Sequence, residues 1–210
     1  MADFTGLKAI FLNCSIKKGG ASESHTQLLM NRAAGIMEAE GVDVEHVYAL
    51  DYNIAFGMIK DGAAENPKQQ DDWPEIQTKI MAADIFVMGT PIWLGVKSSI
   101  ATLAIERMYA YSGDHNDQDQ YAYYGKAGGC IVTGNEDGIK HCAMDILYAL
   151  QHIGYVVPPQ ADCGWIGEAG PGGSYGDTEF SGKKFDTPLG YDNDFTNRNT
   201  TFMAWNLMHA

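Results

Sequence analysis

The residues best suited to chemistry near the amino terminus are hydroxyl side chains between positions 13 and 26. An apolar run over residues 7–12 precedes them and predicts a buried strand. Apolar side chains at helical spacing follow over residues 24–41 and predict a helix, which Gly41 ends. The first turn of a helix offers free amides and a favourable dipole to an anion. The loop is therefore interpreted as a phosphate site or, alternatively, as an ordinary Gly/Ser loop before a capped helix. Its candidate donors are Ser15, Lys17, Lys18, Ser22, Ser24 and Thr26.

Three known phosphate motifs are absent from this loop. Neither the G-x-x-x-x-G-K-[ST] pattern of nucleoside triphosphatases nor the G-x-G-x-x-G dinucleotide fingerprint occurs there. A Cys-x5-Arg phosphatase loop starting at Cys14 would need arginine at position 20, where Gly20 stands. What remains is a hydroxyl-rich loop suited to a monophosphate.

Composition sets broad limits on fold and partners. The chain has 210 residues, of which 45% are hydrophobic, so we expect one domain over residues 1–210 with a full core. Its formal net charge of −13 argues against nucleic acid and against anionic membrane surfaces as partners. The same charge requires any phosphate to be held by local amides and hydroxyls.

The cysteines and the termini predict a protein of the reducing cytoplasm. The four cysteines show neither C-x-x-C nor zinc spacing, so we expect buried free thiols and no metal site. The first residues lack the basic and apolar regions of a signal peptide. No run reaches the ~18 apolar residues that a membrane span needs.

Strand and helix patterns alternate along the chain, which predicts an α/β fold. Further strands are expected at 42–48, 83–89 and 127–133, with 155–157 and 161–166 supplying the last. Helices are expected at 73–83, 100–108 and 139–150, and a final one capped by Asp194 or Thr196. This alternation predicts a flavodoxin-like three-layer sandwich, with a five-stranded parallel sheet of order 2-1-3-4-5 and helices on both faces. The loops after strands one, three and four then meet at one edge of the sheet.

Two segments lie outside that alternation. Residues 109–126 form a tyrosine- and aspartate-rich insertion, whose aromatics suit an interface or a pocket rim. Residues 167–193 are rich in glycine, and positions 170–175 are able to fold over a cofactor in their own subunit or in a partner's. A solvent-exposed loop is the alternative for both.

Three stretches resemble one known family. Residues 15–26, Thr90–Gly95 and Thr133–Gly138 resemble the NAD(P)H-dependent FMN reductase and flavodoxin-like quinone reductase family, over roughly residues 5–166. In that family the first loop binds the FMN phosphate, the second and third loops wrap the isoalloxazine ring, and reduced nicotinamide donates hydride to the flavin.

The resemblance implies a cofactor site when it is carried over position by position. The phosphate side would comprise Ser15, Lys17, Ser22, Ser24, His25 and Thr26. The ring would be lined by Pro91, Ile92, Trp93, Leu94 and Gly95. Its other edge would meet Thr133, Gly134, Asn135, Asp137 and Gly138.

Individual residues keep alternative roles. Trp93 either stacks on or walls the flavin ring, or it is a core residue at a strand end. We expect Asp137 to cap the helix that follows rather than to act in acid–base chemistry. His141 and His152 are expected to be exposed, or to contact the carboxyl end of a helix. No catalytic residue is assigned, because the flavin carries the chemistry.

The leading interpretation is an FMN-bound oxidoreductase that passes electrons from NADPH or NADH to a small acceptor such as a quinone or a free flavin. It implies a homodimer or homotetramer. A flavodoxin-type electron carrier with an acidic docking surface is the alternative, and an interaction domain that has lost its cofactor is a third. The extra phosphate of NADPH would be met by Lys17, Lys18 or Arg107.

Overall fold

A parallel sheet organises the chain. The computed structural model describes residues 2–17, 24–60, 69–165, 167 and 172–210. The strands are β1 (Lys8–Asn13), β2 (Asp43–Tyr48), β3 (Ile85–Trp93), β4 (Val96–Lys97), β5 (Ala127–Thr133) and β6 (Asp162–Trp165). Five of them pair in parallel in the order β2-β1-β3-β5-β6, and β4 pairs antiparallel with the end of β3. The predicted order 2-1-3-4-5 is confirmed, since β4 is an addition to β3.

The described residues contain five α-helices. They are α1 (His25–Ala39), α2 (Trp73–Ala82), α3 (Ser99–Ala110), α4 (Ile139–Ile153) and α5 (Asp194–His209). A short 3-10 turn at Ala49–Asp51 follows β2, and β7 (Glu179–Phe180) forms a small ribbon with β8 (Lys183–Lys184). The predicted cap of α5 was wrong: the Asn193 side chain caps it by accepting from the Thr196 amide at 2.8 Å.

The helices cover both faces of the sheet, as parallel strands require. Along β1, Ile10 and Leu12 point to the face covered by α2, α3 and α4, whereas Ala9 and Phe11 point to the face covered by α1 and α5. All four side chains are buried, because alternate residues of a strand face opposite sides. The result is the predicted three-layer arrangement.

Gly89 sets how closely α1 packs on β3. A Cβ atom at this position would lie 2.3 Å from Met30 Sδ and 3.0 Å from Thr26 Cγ2. A side chain there would have to displace Met30 or Thr26, so glycine allows this close approach. The amino-terminal turn of α1 thereby lies beside the last residues of β3.

The segment expected as an insertion at 109–126 belongs partly to the core. Tyr123 is fully buried and stacks on Tyr155 at 5.2 Å between ring centroids. Its hydroxyl donates to the Met108 carbonyl and accepts from Gln77 Nε2, both at 2.9 Å. Tyr121, by contrast, is exposed. Part of this segment therefore serves packing rather than an interface.

Candidate functional site

A cavity of about 340 Å³ lies at the carboxyl edge of the sheet, where β1, β3 and β5 end. Its size falls within the roughly 300–1,000 Å³ typical of small-molecule sites. The loops after those three strands line it together with the first turn of α1 and a later segment of the chain. The lining residues are Ser15, Ile16, Lys17, Ser24, His25, Thr26, Pro91, Ile92, Trp93, Thr133, Gly134, Asn135, Glu136, Ser174 and Tyr175.

One end of the cavity is formed by hydroxyls at the start of α1. Ser24 is the N-cap residue, and its Oγ accepts from the Gln27 amide at 3.1 Å. Ser15 Oγ lies 3.0 Å from Ser24 Oγ, and the Ser15 amide donates to Asn13 Oδ1 at 2.9 Å. These groups form a polar floor under a helix amino terminus, which favours an anion. Ser22 and Lys18 lie outside the described residues.

The first and third loops are joined through two threonines. Thr26 Oγ1 lies 2.8 Å from Thr133 Oγ1, and both side chains are buried. The bond ties the first turn of α1 to the last residue of β5.

The segment expected as the second loop, Thr90–Gly95, continues β3 and forms a β-hairpin with β4. β3 continues through Trp93, and Leu94 and Gly95 turn the chain into β4 with φ of 50° and 78°. Two successive positive φ values are typical of a type I′ turn, which matches the twist of paired strands. Pro91, Ile92 and Trp93 therefore stand as one wall of the cavity.

The tip of the hairpin lies away from the cavity. Leu94 is 92% exposed and neither it nor Gly95 contributes to the lining, whereas Trp93 is at the wall with 37% exposure. The positive φ of the turn sends the Leu94 side chain into solvent. The structure therefore does not bring these two predicted ring contacts to the cavity.

The third loop meets the cavity through Thr133, Gly134, Asn135 and Glu136. The prediction that Asp137 caps α4 is wrong, because Gly138 is the N-cap residue and no side chain bonds to this helix end. A Cβ at Gly138 would lie 2.8 Å from the Gly95 carbonyl oxygen. Asp137 is exposed, and neither it nor Gly138 lines the cavity.

A segment that the resemblance did not map covers one side of the cavity. Residues 172–177, here called the strap, bring Ser174 and Tyr175 into the lining. Asn135 Nδ2 donates to the Gly172 carbonyl at 2.6 Å, and Ser174 Oγ donates to Asn135 Oδ1 at 3.3 Å. The glycine-rich composition was the sequence signal for this contact. Residues 168–171 lie outside the described part.

His25 holds the other end of the strap. Its Nδ1 accepts from the Gly176 amide at 2.9 Å, and its Nε2 lies 3.6 Å from Asp177 Oδ1. Burial, and then the Lys17 charge, lower the pKa of His25 against the opposing effect of Asp177. The neutral imidazole is thus the form that accepts from the strap. A Cβ at Gly176 would lie 2.8 Å from this ring nitrogen, so glycine allows the contact.

Arg107 takes no part in the cavity. It is fully buried and forms a bidentate pair with Asp71, at 3.0 Å and 2.7 Å, and donates to the Ala55 carbonyl at 2.9 Å. Its predicted role in meeting the extra phosphate of NADPH is therefore wrong. Lys17 lines the cavity and keeps that role as a prediction.

The cysteines are buried free thiols, as expected from the sequence. Burial raises the pKa of each thiol, that of Cys163 to about 12. None is therefore suited to act as a nucleophile at neutral pH. His141 is exposed and its Nδ1 donates to the Gly95 carbonyl at 2.8 Å, which also leaves it outside the chemistry.

The cavity suits a flat ring that carries a phosphate. Hydroxyls and helix amides lie at one end, Pro91, Ile92 and Trp93 form an apolar wall, and Gly134 and Asn135 of the third loop also line the cavity. This donor set matches riboflavin 5′-phosphate, whose ring is apolar on its faces and polar at its rim. Among the described residues, no three His, Cys, Asp or Glu side chains come together as a metal site.

Comparison with known proteins agrees with this geometry. Residues 7–165 match the family of NADPH-dependent FMN reductases. A solved structure of RosB with the bound intermediate 8-demethyl-8-formylriboflavin-5′-phosphate is 35% identical, with a TM-score of 0.83, over 97% of this chain and 78% of that one. The fold is flavodoxin-like, and the matched family is one of FMN-dependent oxidoreductases.

Two curated proteins are similar in sequence. The 8-demethyl-8-aminoriboflavin-5′-phosphate synthase of Streptomyces davaonensis is 36% identical over 85% of this chain and 72% of its own length. The divalent metal cation transporter MntH of Mycobacterium bovis is 52% identical over 98% of this chain, but the chain spans 29% of that protein's length. Within the part of the chain that the structure describes, no helix is long and apolar enough to cross a bilayer. The chain belongs to the NADPH-dependent FMN reductase family, which binds FMN and uses NAD(P)H.

Proposed function

We propose that this chain is an FMN-dependent oxidoreductase that takes hydride from NADPH or NADH and passes electrons to a quinone, a free flavin or a similar small acceptor. The observation that carries the proposal is the meeting of three loops, after β1, β3 and β5, in one cavity. Ligands of doubly wound sheets bind at this carboxyl edge, where the strand order reverses. Membership of the FMN reductase family supports an FMN-dependent reductase, and the cavity supports a flavin site at this edge of the sheet.

Different groups of residues would bind the phosphate and the ring of FMN. Ser15, Ser24, Thr26 and the first amides of α1 bind the phosphate, while Lys17 supplies a nearby positive charge. The apolar wall of the hairpin packs on the ring, and Asn135 with the amides of its loop donates to the ring's polar edge. FMN supplies the hydride-accepting chemistry when it is bound. The strap excludes water from this side.

The test uses the full chain, purified and mixed with FMN. We expect a yellow protein that oxidises NADPH or NADH with a quinone as acceptor. Trp93→Ala should weaken FMN binding on the order of tenfold, because it removes an aromatic wall worth up to about 1.5 kcal/mol. Tyr124→Ala removes an exposed aromatic outside the cavity and should leave binding unchanged. A colourless chain that ignores added FMN would contradict the proposal.

A second candidate treats flavin phosphate as substrate rather than as resident cofactor. It is favoured by the likeness to RosB, whose solved structure holds a formyl derivative of riboflavin 5′-phosphate, and to the aminoriboflavin-phosphate synthase. Mass spectrometry of the flavin after turnover separates the two. Unchanged FMN supports the oxidoreductase, whereas a mass change on the ring supports the second candidate. A bound flavin without steady-state nicotinamide oxidation would favour an electron carrier.

We further propose that the chain works in the cytoplasm as a homodimer or homotetramer. Tyr109 and Tyr148 are exposed on α3 and α4 and line an apolar groove of about 290 Å³. Exposed aromatics of this kind are enriched in protein interfaces, which supports an oligomer. Light scattering during size-exclusion chromatography tests it, and a monomer at micromolar concentration would contradict it.

A further inference from the structure

Tyr48 lies outside the cavity lining but contacts the loop that forms its polar end. The register of β1 and β2 pairs Tyr48 with Asn13, the last residue of β1. From there the Tyr48 hydroxyl lies 2.8 Å from Ser15 Oγ and donates to the Lys17 carbonyl. Two residues of the phosphate loop are thus held by one side chain from the neighbouring strand.

The hydroxyl protons of this cluster have defined directions. A hydroxyl has one donor and two acceptor positions. Ser24 Oγ accepts from the Gln27 amide at 3.1 Å and from Asn13 Nδ2 at 3.3 Å, so its proton is directed to Ser15 Oγ at 3.0 Å. The carbonyl of Lys17 is an acceptor and takes the Tyr48 proton. The Ser15 proton is therefore directed to the Tyr48 oxygen.

This arrangement leaves Ser15 without a free proton for an anion. A phosphate oxygen needs a donor, so the Ser15 hydroxyl must turn from Tyr48 to the phosphate when the ligand binds. Tyr48 continues to donate to the Lys17 carbonyl when Ser15 turns, and it thereby holds the loop that carries Ser15 and Lys17. A phenylalanine at this position would lose this bond, so the loop would have to be ordered when the ligand binds.

We propose that Tyr48 is a positioning residue for the phosphate end of the flavin, acting through Ser15 and the Lys17 backbone. The inference rests on the proposed function. β2 contributes no side chain to the cavity lining. Through Tyr48, it would nevertheless hold the loop after β1 in place. The cluster is buried at Asn13, Ser15 and Ser24, so its bonds are screened little by water.

The test compares FMN with riboflavin, which has the same ring and no phosphate. Tyr48→Phe should weaken FMN binding by about three- to tenfold, the loss of one hydrogen bond or more, and leave riboflavin binding unchanged. Tyr52→Phe is the matched control, because its hydroxyl contacts the exposed Glu75 at 3.3 Å. That variant should bind both flavins as the wild type does. Fluorescence quenching of each flavin by the full chain gives the dissociation constants.

Several outcomes overturn the inference. Equal weakening of FMN and riboflavin in Tyr48→Phe would indicate a general structural defect, and unchanged FMN binding would remove any role for Tyr48. Either result, with a wild type that binds FMN and oxidises NADPH, leaves the proposed function standing. A wild type that binds neither flavin overturns both.

A second variant serves if Tyr48→Phe folds poorly. Ser15→Ala removes one of the two groups through which Tyr48 acts. The loss of FMN affinity in the double variant with Tyr48→Phe should then be smaller than the product of the two single losses, because Tyr48 acts partly by positioning Ser15. Losses that multiply would contradict the inference.

Discussion

The Thr26 hydroxyl lies 2.8 Å from the Thr133 hydroxyl, although 107 positions separate them in sequence. Thr26 belongs to the first turn of α1, and Thr133 ends β5. Both are buried, so the bond is protected from water. It joins the phosphate side of the cavity to the side assigned to the flavin ring.

Breaking this bond is expected to loosen the cavity. Thr26→Val and Thr133→Val should each lower the free energy of unfolding by about 1–3 kcal/mol, because each leaves the other hydroxyl buried without its partner. The double variant should cost less than the sum, with a coupling of about 0.5–3 kcal/mol. Urea unfolding of the three variants measures this. Strictly additive losses would show that the two hydroxyls do not interact.

The contact between the second and third loops predicts a strong effect of Gly138→Ala. Gly138 has a φ of 127°, and a Cβ there would lie 2.8 Å from the Gly95 carbonyl oxygen. We expect a loss of about 1–3 kcal/mol of stability and weaker FMN binding, because the hairpin must move. Differential scanning calorimetry and a flavin titration measure both.

Gly35→Ala is the matched control for that substitution. Gly35 lies on the exposed side of α1, and a Cβ there would meet no atom within 4 Å. Alanine in a helix interior should raise stability by about 0.5–1 kcal/mol. If Gly138→Ala were as harmless as Gly35→Ala, the proposed packing of the two loops would be wrong.

The strap predicts a pH dependence of FMN binding. His25 accepts from the Gly176 amide, and protonation of Nδ1 removes that acceptor. The ordinary pKa of histidine is 6.5, and burial with the Lys17 charge lowers that of His25 while Asp177 opposes them. A lowered folded-state pKa means that the folded, strapped form binds protons less readily than the unfolded one. Stability and FMN affinity should therefore be full above pH 6.5 and fall below it.

Histidine substitutions isolate this effect. A phosphate monoester itself titrates near pH 6, so FMN affinity must be compared between variants at each pH. In His25→Asn the amide oxygen can accept from Gly176 at every pH, and the fall in affinity should become smaller than in the wild type. His115→Asn, on a ring that stacks on Tyr121 away from the cavity, should keep the wild-type profile. Identical pH profiles of FMN affinity for the wild type and both variants would show that His25 does not set the pH dependence.

The buried pair of Arg107 and Asp71 predicts a loss of stability without a loss of binding. Arg107→Met should cost about 3–5 kcal/mol in urea unfolding, because Asp71 is then a buried charge without a partner. The Kd for FMN and the preference for NADPH over NADH should stay the same in the folded protein. A change in the preference for NADPH over NADH would indicate that Arg107 contributes to the binding of the nicotinamide cofactor.

The fold could be predicted because it follows from local patterns. Alternating strands and helices fix the sheet order, and the apolar residues at helical spacing over residues 24–41 predict α1. The boundaries of β5 follow from a run of buried residues ended by Gly134. These signals depend on neighbours in sequence, which a single chain displays.

The remaining details depend on partners that are distant in sequence. The residues next to Arg107 in sequence do not indicate that it pairs with Asp71, 36 positions away, in the core. Tyr123 has the composition of a surface segment around it, yet Tyr155 and Gln77 bury it. The contact of His25 with Gly176 likewise spans 151 positions. Such contacts are set by packing, so the sequence could suggest a segment over the cofactor but not its bonds to His25 and Asn135.

Hydrogen exchange of the full chain, with and without saturating FMN, tests most directly whether three loops bind one flavin. We expect simultaneous protection of amides in residues 13–17, 24–28, 90–97, 133–138 and 172–177, and no change over α3. Protection limited to one of these segments, or located on the α3 face, would contradict a cavity built jointly by the loops after β1, β3 and β5.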